Sequence, residues 1–385
     1  MKILSVILCC LLLAGCAAQS PETVPTTAPP ETATSMPSTT VSTEPPETEP
    51  VKDVIDRTID AMSLEQRVGQ LFLARCNKET VISDLSRYHL GGLVLFGEDF
   101  EGQTPETMTE LLTSYQAAAD YPLLLAVDEE GGDVTRISRN SAFREKRFSS
   151  LRARWNRGGL ETVLSEEEEK CQLLTGLGIN VNLGPVCDIA TDSGAFLYSR
   201  SLGQDAETTS QVVSAIVNLM SQNHIGSVLK HFPGYGNNAD THTGIAQDSR
   251  SLAELEGKDL LPFAAGIQAD CGAVMVGHVI VEAMDGSLPA SLAPAVHEYL
   301  RDTMGFTGVI MTDDLVMQAI TDQYGAGEAA VMAVLAGNDL LCSTEYATQY
   351  QAVLQAVLDG RISVDTLNAA VRHVLVWKQQ VASYG

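Results

Sequence analysis

Four groups of polar residues stand at the ends of short apolar runs, where charge is otherwise unexpected. The groups are Asp128, Lys230–His231, His278 and Asp313–Asp314. A charged side chain inside a hydrophobic core is costly, whereas the C-terminal ends of parallel barrel strands are where enzymes carry their reactive groups. The pattern therefore predicts that these residues share one catalytic mouth.

A second polar segment pairs an acid with a histidine. Asp240 and His242 are separated by one residue, so in an extended loop both side chains lie on the same side. Asp240 can accept the Nδ1–H of His242, which fixes the tautomer and leaves Nε2 to donate and then accept a proton. The spacing indicates a proton-transfer dyad, with a casual hydrogen bond on a surface loop as the alternative.

Eight apolar runs, separated by longer helical stretches, must position these groups. The runs are Gln70–Ala74, Leu93–Phe96, Leu123–Val127, Asn180–Val186, Gly226–Phe232, Ala273–His278, Gly308–Thr312 and Asp339–Cys342. Runs without polar alternation are typical of strands that are buried on both faces. Each gap between them can hold one crossover helix of about a dozen residues.

Eight such strand–helix units in residues 51–385 predict an α/β fold, a single (β/α)8 barrel of the TIM type with some enlarged loops. A doubly wound open sheet is the competing fold, but no G-x-G-x-x-G segment follows the first run. A last helix is expected around Val364–Val381.

The segment that begins at Lys230 also carries a family resemblance. Lys230–Gly236, followed by Asp240-Thr241-His242, resembles the signature loop of the β-N-acetylhexosaminidase branch of glycoside hydrolase family 3. Further segments that resemble the family, in the expected order, are Met62–Glu65 with Val68–Leu71, Ala126–Gly132, Arg200–Gly203 and Val309–Leu315. The resemblance therefore extends over most of the region that the barrel is expected to occupy.

This resemblance implies a retaining exo-acting β-N-acetylglucosaminidase that works through a covalent glycosyl-enzyme intermediate. Asp313 matches the nucleophile, and Asp240 with His242 matches the acid/base. The matching sugar-binding positions are Asp128, Arg136, Arg200, Lys230 and His231, each of which could instead form a structural ion pair at the rim. Since successive strand residues point to opposite sides, only one acid of the pair can face the barrel axis, and Asp314 is expected to cap the next helix.

Two positions depart from the family pattern. Tyr235 stands where a second histidine is usual, and Asp133 follows the Gly131–Gly132 pair where arginine is common. Neither is the nucleophile or part of the dyad, so we expect only loop conformation and subsite preference to differ. After the eighth run the sequence leaves no room for the second α/β domain of the β-glucosidase branch, which favours the single-domain branch.

Other functions compete for the same residues. Within the family they are an N-acetylglucosamine phosphorylase and a β-glucosidase or β-xylosidase. A metal-dependent barrel hydrolase would draw on His231, Asp240, His242, His278 and Asp313, but the first run lacks the histidine pair of such enzymes. A lipid-anchored sugar-binding protein would be expected to lack the nucleophile or the dyad. We expect neither a metal nor an organic cofactor.

The first fifty residues are predicted to lie outside the barrel. Residues 1–15, with an apolar run from Ile3 to Leu13, resemble a lipoprotein signal peptide that is cut before a lipidated Cys16. An ordinary signal peptide with a chance cysteine is the alternative. Residues 17–50 contain eight Pro and nine Thr but no Lys or Arg, which predicts a disordered stalk.

The composition limits the partners of the protein. With 24 Lys and Arg against 49 Asp and Glu, the net charge is −25, which disfavours nucleic-acid binding.

The cysteines beyond the signal region lack any C-x-x-C pair, so buried free thiols are expected at Cys76, Cys171, Cys187, Cys271 and Cys342. We expect a monomer outside the cytoplasm, held on the membrane only by its lipid. Its substrate is expected to be a peptidoglycan fragment or a chitooligosaccharide with β-linked N-acetylglucosamine.

Overall fold

Eight short parallel strands curve into a closed barrel. The computed structural model describes residues 53–236, 238 and 244–382. The barrel strands are β1 Phe72–Arg75, β2 Gly92–Leu95, β3 Leu124–Val127, β4 Val181–Asn182, β5 Gly226–Phe232, β7 Ala273–Val276, β9 Val309–Thr312 and β10 Leu341–Ser343. Two further strands, β6 Gln247–Asp248 and β8 Ile280–Val281, form a separate parallel pair.

The strand order shows how the barrel closes. Neighbouring strands follow the order β10-β1-β2-β3-β4-β5-β7-β9, and each neighbouring pair is parallel. A parallel bridge between Met311 of β9 and Leu340, just before β10, joins the two ends. Each predicted apolar run overlaps one of these strands, so the (β/α)8 prediction is confirmed and the open doubly wound sheet is wrong.

Helices connect the strands and cover the barrel. They are α1 Val54–Ala61, α2 Leu64–Gly69, α3 Val81–Tyr88, α4 Pro105–Ala118, α5 Leu151–Gly176, α6 Ala206–Gln222, α7 Leu252–Glu254, α8 Leu260–Gln268, α9 Pro294–Glu298, α10 Gln318–Thr321, α11 Ala326–Ala336, α12 Tyr346–Leu358 and α13 Val364–Ala382. Local signals start several of them: Ser63 and Gln66 form a capping box, and Pro105 occupies the first turn of α4. None of the described helices combines the length and the apolar character that crossing a bilayer requires.

Apolar side chains fill the barrel, and α13 closes its N-terminal end. The interior cluster includes Leu73, Leu124, Val228, Met275 and Met311 together with Trp377 of α13. A Cβ on Gly272, which precedes β7, would lie 1.9 Å from the Trp377 indole nitrogen, so only glycine fits there. The helix predicted around Val364–Val381 is thus confirmed as α13. The five cysteines of the described chain are buried free thiols, as predicted.

Candidate active site

A cavity of about 520 Å³ opens at the C-terminal ends of the barrel strands. Six of the predicted site residues line it: Asp128, Arg136, Arg200, Lys230, His231 and Asp313. Its apolar lining includes Val94, Leu183, Met275 and Cys342, which belong to the top of the barrel interior. Asp240, His242 and Cys16 lie outside the described residues.

Asp128 and Lys230 form an ion pair across the cavity wall. Asp128 follows β3, and its Oδ1 lies 2.6 Å from the Nζ of Lys230 in β5. Arg136 Nη2 lies 3.5 Å from Asp128 Oδ2, and its guanidinium faces the Phe96 ring at 5.1 Å. A fixed acceptor and a fixed donor therefore stand side by side, which suits the recognition of sugar hydroxyls.

Glu130 is a site residue that the sequence analysis did not single out. Its carboxylate accepts two hydrogen bonds from Arg200, from Nη2 at 2.7 Å and Nε at 3.0 Å, and lies 2.7 Å from Lys230 Nζ. Burial alone would raise the pKa of Glu130, but Arg200 and Lys230 hold it well below its usual range. In return, Asp128 and Glu130 overcome burial and raise the pKa of Lys230. Both shifts favour the charged forms of Glu130 and Lys230.

His231 is fixed by partners on both ring nitrogens. Nδ1 donates to Asp188 Oδ2 at 2.8 Å, and Arg200 Nη2 donates to Nε2 at 3.1 Å. Because a guanidinium only donates, Nε2 is the acceptor and Nδ1 carries the hydrogen. Asp188 also accepts the backbone N–H of His231 and of Tyr235. Asp188 follows β4 and gave no local signal, since its partner stands 43 positions further along the chain.

The loop after β3 is organised by Glu129. This fully buried carboxylate accepts the backbone N–H groups of Arg136 and Ile137 at 2.8 Å each, and also the Ser138 hydroxyl. The carboxylate thus folds the loop back and places Arg136 at the cavity. Its neighbours Asp128 and Glu130 point to the cluster instead, so three consecutive acids serve two different purposes. The three consecutive acids at 128–130 are the feature of the sequence from which a role for Glu129 and Glu130 could have been predicted.

The two departures from the family pattern have different surroundings. Tyr235 is buried, with its ring 5.4 Å from the His231 ring and 5.8 Å from that of Phe196. Asp133 is exposed to solvent. Tyr235 therefore packs behind a cavity residue, whereas Asp133 lies on the surface of the loop.

Asp313 and Asp314 have separate environments at the end of β9. Asp313 Oδ1 accepts the backbone N–H of Asp314 at 2.9 Å. The carboxylate of Asp314 accepts Val316 N, Thr344 N and the Thr344 hydroxyl. Asp314 was expected to cap the next helix, but this is wrong, because α10 starts only at Gln318 with Met317 as its N-cap residue. Asp314 instead ties a turn to the residue that follows β10.

His278 does not line the cavity, contrary to the expected mouth cluster. It is fully buried, with Nε2 3.0 Å from Asp314 O and Nδ1 2.7 Å from Ser291 Oγ. The chain bends after β7, so the residue predicted at the mouth lies beneath it. Across residues 53–236, 238 and 244–382, no three His, Cys, Asp or Glu side chains are grouped as a metal site would require.

Comparisons with known proteins agree with the sequence resemblance. The family model described as "Glycosyl hydrolase family 3 N terminal domain" matches residues 63–376. A beta-hexosaminidase of Nitrosomonas eutropha is 31% identical over 301 residues, covering 74% of this chain and 84% of the relative. A beta-hexosaminidase of Tolumonas auensis is 34% identical over 279 residues, covering 70% of this chain and 79% of the relative.

Solved structures give the same picture. A glycoside hydrolase family 3 beta-N-acetylglucosaminidase from Paenibacillus sp. FPU-7 superposes with a TM-score of 0.80 at 32% identity. The match covers 84% of this chain and 64% of that one, so this chain spans less than two thirds of the Paenibacillus protein. A family 3 glycosyl hydrolase from Mycobacterium smegmatis gives a TM-score of 0.74 at 28% identity, over 83% of this chain and 98% of that one.

Proposed function

Because the chain belongs to glycosyl hydrolase family 3, and is therefore a glycoside hydrolase, we propose that it is a retaining exo-β-N-acetylglucosaminidase. It removes terminal β-linked N-acetylhexosamine from the end of a saccharide. The relatives named above are beta-hexosaminidases and a beta-N-acetylglucosaminidase, which supports this substrate class. The observation that carries the proposal is one cavity lined by Asp313 and by all five proposed sugar-binding side chains.

The proposed reaction has two displacements at the anomeric carbon. Asp313 attacks this carbon while His242 protonates the departing oxygen, which leaves a covalent glycosyl-enzyme. His242 then removes a proton from water, and the water displaces Asp313. Asp240 orients His242 throughout. Two inversions return the product in the β configuration.

Substrate recognition rests on the preformed ion-pair cluster. Asp128 accepts hydrogen bonds from sugar hydroxyls and Lys230 donates to them, with little reorganisation because each is already held by the other. Arg200 uses Nε and Nη2 for Glu130 and His231, and within the described chain its Nη1 makes no hydrogen bond. We propose that this group donates to a sugar or acetamido oxygen.

The test is the anomeric configuration of the first product. Hydrolysis of p-nitrophenyl β-N-acetylglucosaminide, followed by proton NMR at early times, should release β-N-acetylglucosamine. An α product, or cleavage of the β-glucoside alone, would contradict the proposal. A parallel reaction with added phosphate separates hydrolysis from phosphorolysis, because a phosphorylase would form the sugar 1-phosphate. Treatment with a chelator should leave the rate unchanged, since no step needs a metal.

We further propose that the enzyme acts outside the cytoplasm, anchored by lipid on Cys16. A diacyl-modified cysteine brings two acyl chains, which suffice for stable anchoring where one chain is marginal. At this location the β-linked N-acetylglucosamine polymers within reach are peptidoglycan fragments and chitooligosaccharides. Cys16→Ser should move the protein from the membrane fraction to the soluble fraction without changing turnover of the aryl substrate. Persistent membrane attachment of this variant would contradict the anchor.

A further inference from the structure

The proposed nucleophile is oriented by the peptide that follows it. Asp313 N donates to Val276 O at 3.1 Å, which ties the end of β9 to the end of β7. The next N–H, that of Asp314, donates to Asp313 Oδ1 at 2.9 Å. Contacts that hold Asp314 in place therefore also help to set the direction of the Asp313 carboxylate.

On one side, Asp314 is held through its carbonyl oxygen by His278, which follows β7. The ring is fully buried, and its Nε2 lies 3.0 Å from Asp314 O. A carbonyl only accepts, so Nε2 carries the hydrogen and donates it. Nδ1 lies 2.7 Å from the hydroxyl of Ser291, whose backbone N–H donates to Gly277 O at 3.0 Å. The imidazole is thereby locked in rotation as well as in place.

On the other side, the same residue is held by Thr344, which follows β10. The Thr344 hydroxyl donates to Asp314 Oδ2 at 2.6 Å, and its backbone N–H donates to Oδ1 at 3.3 Å. Thr344 itself is exposed, so replacing its side chain does not disturb the core. β9 stands between β7 and β10 in the barrel, which places the two contacts on opposite flanks of Asp314.

We propose that His278 and Thr344 are positioning residues for the nucleophile, which they hold by fixing Asp314 from the two neighbouring strand ends. The inference rests on the proposed function, because it requires Asp313 to attack the anomeric carbon. Neither residue lines the cavity. Loss of either contact allows Asp314 to move, so that its N–H holds Asp313 Oδ1 less firmly and the Asp313 carboxylate spends less time in line with the anomeric carbon.

The experiment measures the rate at which Asp313 becomes labelled. The probe is 5-fluoro-N-acetylglucosaminyl fluoride, whose fluoride leaves without protonation, so that its rate reports on the nucleophile and not on the acid. His278→Leu should slow labelling about 100-fold while the dissociation constant for N-acetylglucosamine stays unchanged. His278→Gln, which returns an N–H donor toward Asp314 O, should recover most of the rate.

Thr344, the exposed partner of Asp314, provides a second test in which the substitution does not change the packing of the core. Thr344→Val should slow labelling about tenfold, and Thr344→Ser, which keeps the hydroxyl, should label at nearly the native rate. Thr348→Val, also exposed and close by in α12, is the matched control and should behave as native.

The possible outcomes distinguish a failure of the positioning role from a failure of the proposed function. Native labelling rates in both His278→Leu and Thr344→Val, with the label on Asp313, would overturn the positioning role alone. A label on another residue of the native protein, found by peptide mass spectrometry, would overturn the proposed function and this inference with it. If His278→Leu fails to fold, the Thr344 pair decides the question.

Discussion

Two carboxyl groups at the barrel mouth, Glu130 and Asp314, lie in opposite electrostatic surroundings. Glu130 contacts the cations Arg200 and Lys230, whereas the hydrogen bonds that the Asp314 carboxylate accepts from the described residues come from backbone N–H groups and a threonine hydroxyl. Burial works to raise the pKa of both groups. The two cations reverse this effect at Glu130, but the neutral donors around Asp314 do not, and its pKa stays above the usual value.

The difference matches what each side of the mouth must do. On the β3–β5 side, fixed charges of both signs present a set of donors and acceptors that need not reorganise when a sugar binds. On the β9 side, neutral hydrogen bonds position a segment without adding a cation to it. On the β3–β5 side, charged groups therefore bind the sugar. On the β9 side, neutral hydrogen bonds position the nucleophile.

Removing the proposed nucleophile should have the largest effect. Asp313→Asn is expected to lower kcat on p-nitrophenyl β-N-acetylglucosaminide about 10⁴-fold or more, because no other group forms the covalent intermediate. Asp314→Asn, which keeps a partner for Thr344, should lose only about tenfold. Steady-state kinetics compare the two variants. Equal losses would show that the two adjacent acids do not divide their roles as described.

Breaking the charged cluster should come second. Glu130→Gln leaves Arg200 and Lys230 short of a counter-charge, so we expect kcat/KM to fall about 100-fold. The free energy of unfolding should fall by about 3 kcal/mol, as when one partner of a buried ion pair is removed. Asp133→Asn, an exposed acid of the same loop, is the control for both measurements. A fully stable Glu130→Gln protein would contradict the role given to this carboxylate.

The acid/base dyad should give a smaller loss that depends on the substrate. His242→Ala is expected to reduce turnover of an N-acetylglucosamine disaccharide far more than that of the p-nitrophenyl substrate. The aryl oxygen leaves as a stable anion and needs little protonation. Comparison of kcat/KM for the two substrates gives the ratio. Equal losses on both would remove His242 from the role of proton donor.

The smallest effect is a pH dependence of stability that has opposite sign in the two regions. The pKa of Glu130 is lowered on folding, so its stabilisation is complete above pH 4.5 and is lost as the pH falls below this value. The pKa of Asp314 is raised, so its ionisation costs stability as the pH rises above 3.8. Urea unfolding from pH 7 down to about pH 3 should show the difference in the free energy of unfolding between native and Glu130→Gln shrinking toward acid.

For Asp314→Asn, the difference in the free energy of unfolding from the native protein should change in the opposite direction over the same pH range. The native protein gains stability relative to this variant as the pH falls, because the folded state favours the protonated carboxyl of Asp314. Parallel behaviour of the two variants would mean that the two sites do not differ in their electrostatic surroundings.

Much of the fold could be predicted from the sequence. The eight apolar runs overlap the eight barrel strands, because a strand buried on both faces is largely apolar without alternation and this pattern is visible locally. The ends of those runs also located five cavity residues, Asp128 and Asp313 among them. By contrast, the roles of Asp240 and His242 stay predictions, since these residues lie outside the described part of the chain.

Errors arose where a side chain's role depends on a distant partner. His278 follows an apolar run, as Asp128 does, yet it lies under Asp314 and not in the cavity. Asp314 precedes apolar residues as a helix cap would, but its carboxylate reaches Thr344 across to the next strand end. The local patterns of these residues are equivalent, and only their neighbours in the closed barrel distinguish them.

The sequence by itself determined which segments are strands, in what order they follow, and which chemical groups stand at their ends. Burial and backbone geometry act over a few residues, and for this reason they leave a readable period in the chain. Only the tertiary structure decided that Glu130 takes Arg200 and Lys230 as partners, and that Asp188 holds His231. Each of these pairings joins residues at least 43 positions apart in the chain. They exist because closing the barrel converts neighbours in strand order into neighbours in space.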